Sequence, residues 1–321
     1  MLARHAESLF WTGRYVERAE DTARLLDVTY HGLLEATSFE ARRSWRDLLV
    51  VLSLDAEFTA AGAELTAAGV SEFLVLDEEN AGSIVSSVER ARENVRSLRE
   101  QVSTELWEAV NRFHLDLRAR DLVSDLEQPY RLTSMVKQRC QTLAGVAAET
   151  MPRDDGWLFL QVGWMLERAE MTCRLLDVRY GRTPVSSGAY HHWLGTLKSA
   201  SASEAYRKAH RSSLDPTQVL EFLLLSRTFP RSVLFCLRRV EQDLGRLAPV
   251  DGRLTRPQRL LGRLRADLEY TDLHETVGDD LHALLDRLQK GVRQVAESVA
   301  LQYFRNSQEV ALSVLDFRPP G

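Results

Sequence analysis

The sequence predicts an all-α fold, a helical bundle of two tandem halves, on three observations. An 18-residue stretch occurs twice, at 13–30 and 163–180, with 12 identical positions, where chance would leave about one. Val16, Ala19, Ala23, Leu26 and Tyr30, and in the second copy Leu166, Ala169, Cys173, Leu176 and Tyr180, follow a +3/+4 alternation that only a helix turns into one apolar stripe. No alternating strand, Asn-Gly hairpin or Gly-rich phosphate loop interrupts the helical pattern. The duplication implies two similar halves, 1–150 and 151–321, related by a pseudo-twofold axis and forming one unit.

Taken in order, residues 3–36 read as one long helix with an irregularity near Gly13, and 39–53 as a second with Trp45, Leu48, Leu49 and Leu52 on one side. The Ala-rich stretch 55–69 is broken by Gly62 and Gly69, so it forms a weaker helix or a helical loop. Residues 71–76 have strand composition, yet they align at an offset of 149 with 220–225. Asp215-Pro216 opens that second segment as an N-cap and first-turn proline, so both segments are helices. Ser83 and Ser232 are matching N-cap candidates, Trp45 and Trp193 also correspond, and 83–119 reads as two helices meeting near Ser103. Gln128-Pro129 starts a helix to about Thr150, Pro152 ends it, and Asp154-Asp155-Gly156 introduces the second copy. The stretch 181–188 is the most linker-like. Helices follow at 189–200, 203–211, 216–226, 232–247, 256–270 and 276–304, and 317–321 is a tail.

With 321 residues, 44% of them hydrophobic and 27% charged, the chain has a globular composition and the length for a substantial core. A net charge of −5 argues against a general nucleic-acid binder, while clustered arginines leave room for a focused anion-binding groove. Cys140, Cys173 and Cys236 lie in apolar helical patterns and read as core residues of a reducing compartment. No apolar run approaches the roughly 20 residues of a membrane span. The first residues also lack a signal peptide's apolar region, so the sequence points to the cytoplasm and to no membrane partner.

Beside each apolar stripe lies a charged one. At about 100° per residue, Glu17, Glu20, Arg24 and Asp27 share an arc of about 80°, and Glu167, Glu170, Arg174 and Asp177 repeat it. Arg18 and Arg168 complete the duplicated Glu-Arg pairs. A freely solvated face has little reason to keep its charge identities after duplication, so partners constrain these positions. Ala19, Ala23, Ala169 and Cys173 permit close approach, and the expected arrangement sets the two helices face to face with their charged stripes adjoining. Such stripes form either a salt-bridge network that docks the halves or a polar cavity for a substrate, peptide or metal. A ferritin-like dimetal site needs Glu-x-x-His, whereas Glu20 and Glu170 stand three residues after Glu17 and Glu167. An arginine in each stripe also opposes a cation, so neither a metal nor a cofactor is expected.

Arg92, Arg96 and Arg99, with Asn94 among them, recur at i, i+4 and i+7, a face suited to a carboxylate, a phosphate or the acidic stripes. Solvated arginines with local Glu partners are the alternative. Arg227 and Arg231, flanking Phe229-Pro230, form a smaller candidate of the same kind. Glu275, Asp279 and His282 share a helix face, a spacing common by chance on acidic helices. No Ser-His-Asp or Cys-His signature is visible, so no catalytic residue is assigned.

The opening, through Phe10-Trp11-Thr12-Gly13-Arg14-Tyr15-Val16-Glu17-Arg18-Ala19-Glu20, resembles the bacterial alpha-E family of all-helical proteins named for a Glu-Arg motif. Ala91-Arg92-Glu93-Asn94-Val95-Arg96 and Glu105-Leu106-Trp107-Glu108-Ala109-Val110-Asn111 carry the same resemblance, which extends over essentially the whole chain. It implies a place beside, or fused to, circularly permuted ATP-grasp proteins, often with a transglutaminase-like protein, and so a system that makes, attaches or trims peptides. The pattern departs at Ala81, where the second half supplies Pro230. The implied function is an accessory or partner protein of an ATP-grasp-type peptide ligase, binding the ligase or a peptide or carboxylate ligand through the Glu-Arg stripes and the arginine helix. The alternative is an enzyme using paired buried carboxylates such as Glu17 and Glu167 as acid and base on peptide or amide bonds. A third reading, an oligomerisation module, requires an extended apolar patch. A large concave pocket lined by both stripes favours the enzyme, whereas stripes paired with each other and closed to solvent favour the scaffold.

Overall fold

The computed structural model describes residues 1–33, 38–127, 129–180, 189–210, 214–247, 253–273, 276 and 279–304, and among them every regular element is a helix. The helices of the first part are α1 (Ala3–Gly32), α2 (Ser38–Leu52), α3 (Asp55–Ala60), α4 (Ala67–Val75), α5 (Ile84–Arg96), α6 (Thr104–Arg118), α7 (Leu122–Glu127) and α8 (Tyr130–Thr150). Those of the second are α9 (Asp155–Tyr180), α10 (Ala189–Ser199), α11 (Ser203–Ala209), α12 (Pro216–Leu225), α13 (Val233–Arg246), α14 (Arg256–Glu269) and α15 (Asp279–Tyr303). The linker-like stretch 181–188, the tail 317–321 and Glu275 lie outside the described residues.

Glycine sets the centre of the molecule. A Cβ on Gly13 would lie 2.2 Å from the carbonyl oxygen of Leu160, and one on Gly163 would lie 2.0 Å from that of Phe10. Only a residue without a side chain lets two helix backbones come this close. Gly13 is therefore a contact point and not the expected irregularity, and α1 runs through it unbroken. From that contact α1 and α9 continue side by side in the same direction, and their apolar stripes close into the core. Ala19, Ala23, Leu26, Ala169, Cys173 and Leu176 are each 0% exposed.

The surrounding helices are laid out alike on both sides of this pair. α1 packs on α5 and α8, which α6 joins, and α9 packs on α13 and α15, which α14 joins. α2 contacts both α1 and α9, and α10 contacts both α9 and α1, so the helix after each central one reaches across to the other. α2 and α10 also end alike. Ser53 and Ser201 adopt left-handed φ values of 57° and 51°. The next amides turn back, Leu54 N to Leu49 O at 2.9 Å and Ala202 N to Leu197 O at 2.7 Å, which closes each helix end in Schellman fashion.

The expected caps Ser83, Asp215 and Ser232 are in place, each accepting a backbone N–H through the side chain at the start of α5, α12 and α13, and Ser103, the expected meeting point of two helices, caps α6 in the same way. Residues 71–75 are helical, as the alignment with 220–225 requires. Gly69 does not break a helix but lies inside the first turn of α4, where Thr66 is the cap and accepts the Gly69 N–H. No helix among the described residues is long and apolar enough to cross a membrane. Cys140, Cys173 and Cys236 are free and buried. Burial pushes the Cys236 thiol up to about 12, which leaves it no thiolate character at neutral pH.

Candidate functional site

The parallel packing of α1 and α9 crosses the two Glu-Arg pairs. Arg18 donates through Nε to Glu167 Oε1 at 2.8 Å and through Nη2 to Oε2 at 3.2 Å. Arg168 donates through Nε and Nη2 to the two oxygens of Glu17, each at 2.7 Å. These are bidentate fork-to-fork pairs, the strong geometry for arginine and carboxylate. Each glutamate accepts from one more arginine, and here the two ends differ. Arg14 Nε reaches Glu167 Oε2 at 2.5 Å, while Arg231 Nη1 reaches Glu17 Oε1 at 2.8 Å. Both glutamates are 0% exposed.

The network continues along each stripe. At the Glu17 end Arg231 also holds Asp21 Oδ1 at 2.7 Å and Glu20 Oε1 at 3.0 Å, and Arg24 bonds Glu20 and the hydroxyl of Ser201. At the Glu167 end Arg14 Nη2 meets Glu170 Oε2 and Arg293 Nε meets Glu170 Oε1, both at 2.9 Å. Arg174 donates to Ser53 Oγ at 2.9 Å and to Leu52 O at 3.2 Å. Arg24 and Arg174 thus each reach the left-handed serine that ends the crossing helix of the other part. The last members of the stripes turn away from the seam. Asp27 pairs with Lys137 on α8 at 2.7 Å, and Asp177 with His282 and Gln289 on α15.

Electrostatics follows from this packing. Burial works against a charge on Glu17 and Glu167, yet the guanidiniums of Arg168 and Arg231, and of Arg14 and Arg18, outweigh it and hold both carboxyls below the usual range. Burial likewise opposes the charge of Arg14, and Glu167 and Glu170 more than compensate. Asp21 behaves oppositely: burial, with Glu17 and Glu20 nearby, raises its carboxyl to about 7 in spite of Arg231. Its Oδ2 is buried without a hydrogen-bond partner among the described residues. A carboxylate clasped by two arginines out of contact with water neither delivers nor takes a proton near neutral pH.

The other sequence candidates separate. α5 ends at Arg96, so Arg99 stands in the following turn and off the helical face. Arg92 bonds Asn111 and Glu93, Arg96 bonds Glu93, and Arg99 lies 4.9 Å over the ring of Trp107. Asn94 gives its carbonyl to Ser97. Arg231 turns inward to the stripes, whereas Arg227 turns outward to Glu269 at 2.7 Å and is 65% exposed. Sequence reasoning missed Arg14, Asp21 and Arg293. A signal existed for two of them: Arg14 and Asp21 stand where the second copy has Trp164 and Met171, and attention to identities passes over charges that only one copy carries.

The Glu167 end opens to a cleft of about 280 Å³ lined by Trp11, Arg14, Arg18, Glu170, Arg293, Ala296 and Glu297. Aromatic rings back the cations here, Trp11 at 5.6 Å from Arg14 and Tyr15 at 5.8 Å from Arg18.

A family model described as Alpha-E, a predicted alpha-helical domain with a conserved ER motif, matches residues 1–304. Uncharacterised proteins of Mycobacterium bovis and of two strains of Mycobacterium tuberculosis are each 30% identical over 318 residues, covering 91% of this chain and 35% of theirs. The chain thus spans about a third of the length of these relatives. No solved structure matches it.

Proposed function

The chain belongs to the Alpha-E family, and on that premise we propose that it is an accessory or partner protein of an ATP-grasp-type peptide ligase system, in which the Glu-Arg motifs lock two duplicated halves together. The observation that carries this reading is the state of Glu17 and Glu167. Both are shut off from solvent, each is clasped by two guanidiniums, and each is held ionised below the range an acid or base needs near neutral pH. The enzyme alternative loses its carboxylates by the same observation. Duplication about a pseudo-twofold axis is supported by the matched contacts of Gly13 and Gly163, the crossed Glu-Arg pairs and the paired serines Ser53 and Ser201. The halves 1–150 and 151–321 act as one unit in this reading, because α2 and α10 each bridge both central helices. Arg96 and Arg99, both exposed at and just after the end of α5, are the docking surface for the ligase. A transglutaminase-like protein is a second partner, and the greater length of the relatives accommodates fused neighbours of this kind. Buried free thiols fit a cytoplasmic setting.

Co-expression of the tagged chain with the circularly permuted ATP-grasp protein of its own genome tests the proposal. The expected result is a complex that survives size-exclusion chromatography and turns over ATP through the ligase. Formation or cleavage of peptide bonds by the purified chain alone would contradict it.

A further inference from the structure

The two ends of the central seam differ in charge. At the Glu17 end three guanidiniums, Arg24, Arg168 and Arg231, meet three carboxylates, Glu17, Glu20 and Asp21. At the Glu167 end three guanidiniums, Arg14, Arg18 and Arg293, meet two, Glu167 and Glu170, and the position matching Asp21 is Met171. The cleft of about 280 Å³ opens at this second set, lined by Arg14, Arg18 and Arg293 together with Glu170 and Glu297. Arg14 and Arg18 are 8% and 21% exposed and are fixed by their bonds to Glu167, so their forks are preorganised. Arg293 is 51% exposed and bonded to Glu170 through Nε, which leaves outer N–H groups open to a newcomer. Trp11 supplies an indole wall, and Glu297, also in the lining, disfavours a second negative charge there.

We propose that this cleft binds a carboxylate-bearing ligand, its carboxylate between Arg18 and Arg293 and its apolar part against Trp11. A planar carboxylate matches the guanidinium fork. The volume lies at the small end of ligand pockets and suits a small acid or the terminus of a peptide. The proposal rests on the accessory reading, in which the arginines bind and do not catalyse, and it names the ligand class of that site.

Calorimetric titration of the full chain with benzoate and with N-acetyl-alanyl-alanine, each beside its amide, tests it. The acids are expected to bind and the amides to fail. Arg293→Gln is expected to weaken acid binding about tenfold and to lower the melting temperature somewhat, because it also releases the buried Glu170, whereas Glu297→Gln is expected to tighten binding at an unchanged melting temperature because its side chain is exposed. Binding of benzoate alone assigns the site to free small acids, and binding of the dipeptide alone assigns it to peptide termini. Equal affinity for acid and amide, no binding by either acid at millimolar concentration, or wild-type affinity in Arg293→Gln overturns the proposal. Loss of acid binding with an intact ligase complex refutes the cleft and spares the accessory reading, and the reverse result refutes that reading and spares the cleft.

Discussion

A glutamate without access to water stays ionised only if cations surround it. Glu17→Gln leaves Arg168 and Arg231 facing a neutral amide in a dry seam. The expected cost is about 3–5 kcal/mol, read as a lower denaturant midpoint at unchanged slope. A loss below about 1 kcal/mol would mean that water reaches the pair. Asp21 supplies a pH test with a definite sign. Its folded carboxyl titrates at about 7 against an ordinary value of 3.8. Between those values the folded state binds the extra proton, so Asp21 makes the protein less stable as pH rises from about 4 to about 7. Asp21→Asn keeps an acceptor for Arg231 and removes the charge. Its melting temperature is expected to exceed that of the wild type at about pH 8 and to converge with it near pH 4. Equal pH profiles would show that Asp21 stays ionised throughout. Glu17 and Glu167 act in the other direction, giving stability above their ordinary value of 4.5 that is lost as pH falls through their depressed folded values. At this scale the sequence revealed the shared charges and hid the unshared ones. Arg231 was legible as an anion binder, but nothing in a linear spacing aims it at Glu17, 214 residues away.

Elements were more legible than partners. The apolar stripe of 16, 19, 23, 26 and 30 defines a helix by period alone, and Ser83, Asp215 and Ser232 mark helix starts because a side-chain oxygen there satisfies an end N–H. Glycine misled, since the same residue type serves as breaker and as contact: Gly13 and Gly163 are where α1 and α9 touch, and Gly69 is one more residue of a capped first turn. The contact role carries a direct test. Gly13→Ala and Gly163→Ala place a methyl against a backbone carbonyl and are expected to cost about 1–3 kcal/mol or more. Gly145→Ala, on exposed α8 surface with nothing within 4 Å of the new methyl, is expected to gain about 0.5–1 kcal/mol from helix propensity alone. Thermal melts of the three variants decide the matter, and a stabilised Gly163→Ala would show that the two helices do not meet there.

The whole molecule is held by what crosses the seam. Helices α2 and α10 reach over to the opposite central helix, Arg24 and Arg174 follow them to Ser201 and Ser53, and the Glu-Arg pairs cross beneath. A repeat in the sequence implies two similar parts, but it contains no term for such exchange, because which helix crosses depends on connection geometry and not on stripe or period. The cleft was invisible for the same reason, as Arg293 on α15 comes to Glu170 from 123 residues away. In the proposed reading the crossed Glu-Arg pairs make the two halves one cooperative structure. Native-state hydrogen exchange of Glu17→Gln, followed at the amides of α1, α5, α9 and α13, tests it most directly. An equal drop in opening free energy is expected for all four helices, since a break at Glu17 loosens both sides at once. A drop confined to α1 and α5, with α9 and α13 protected as in the wild type, would contradict it.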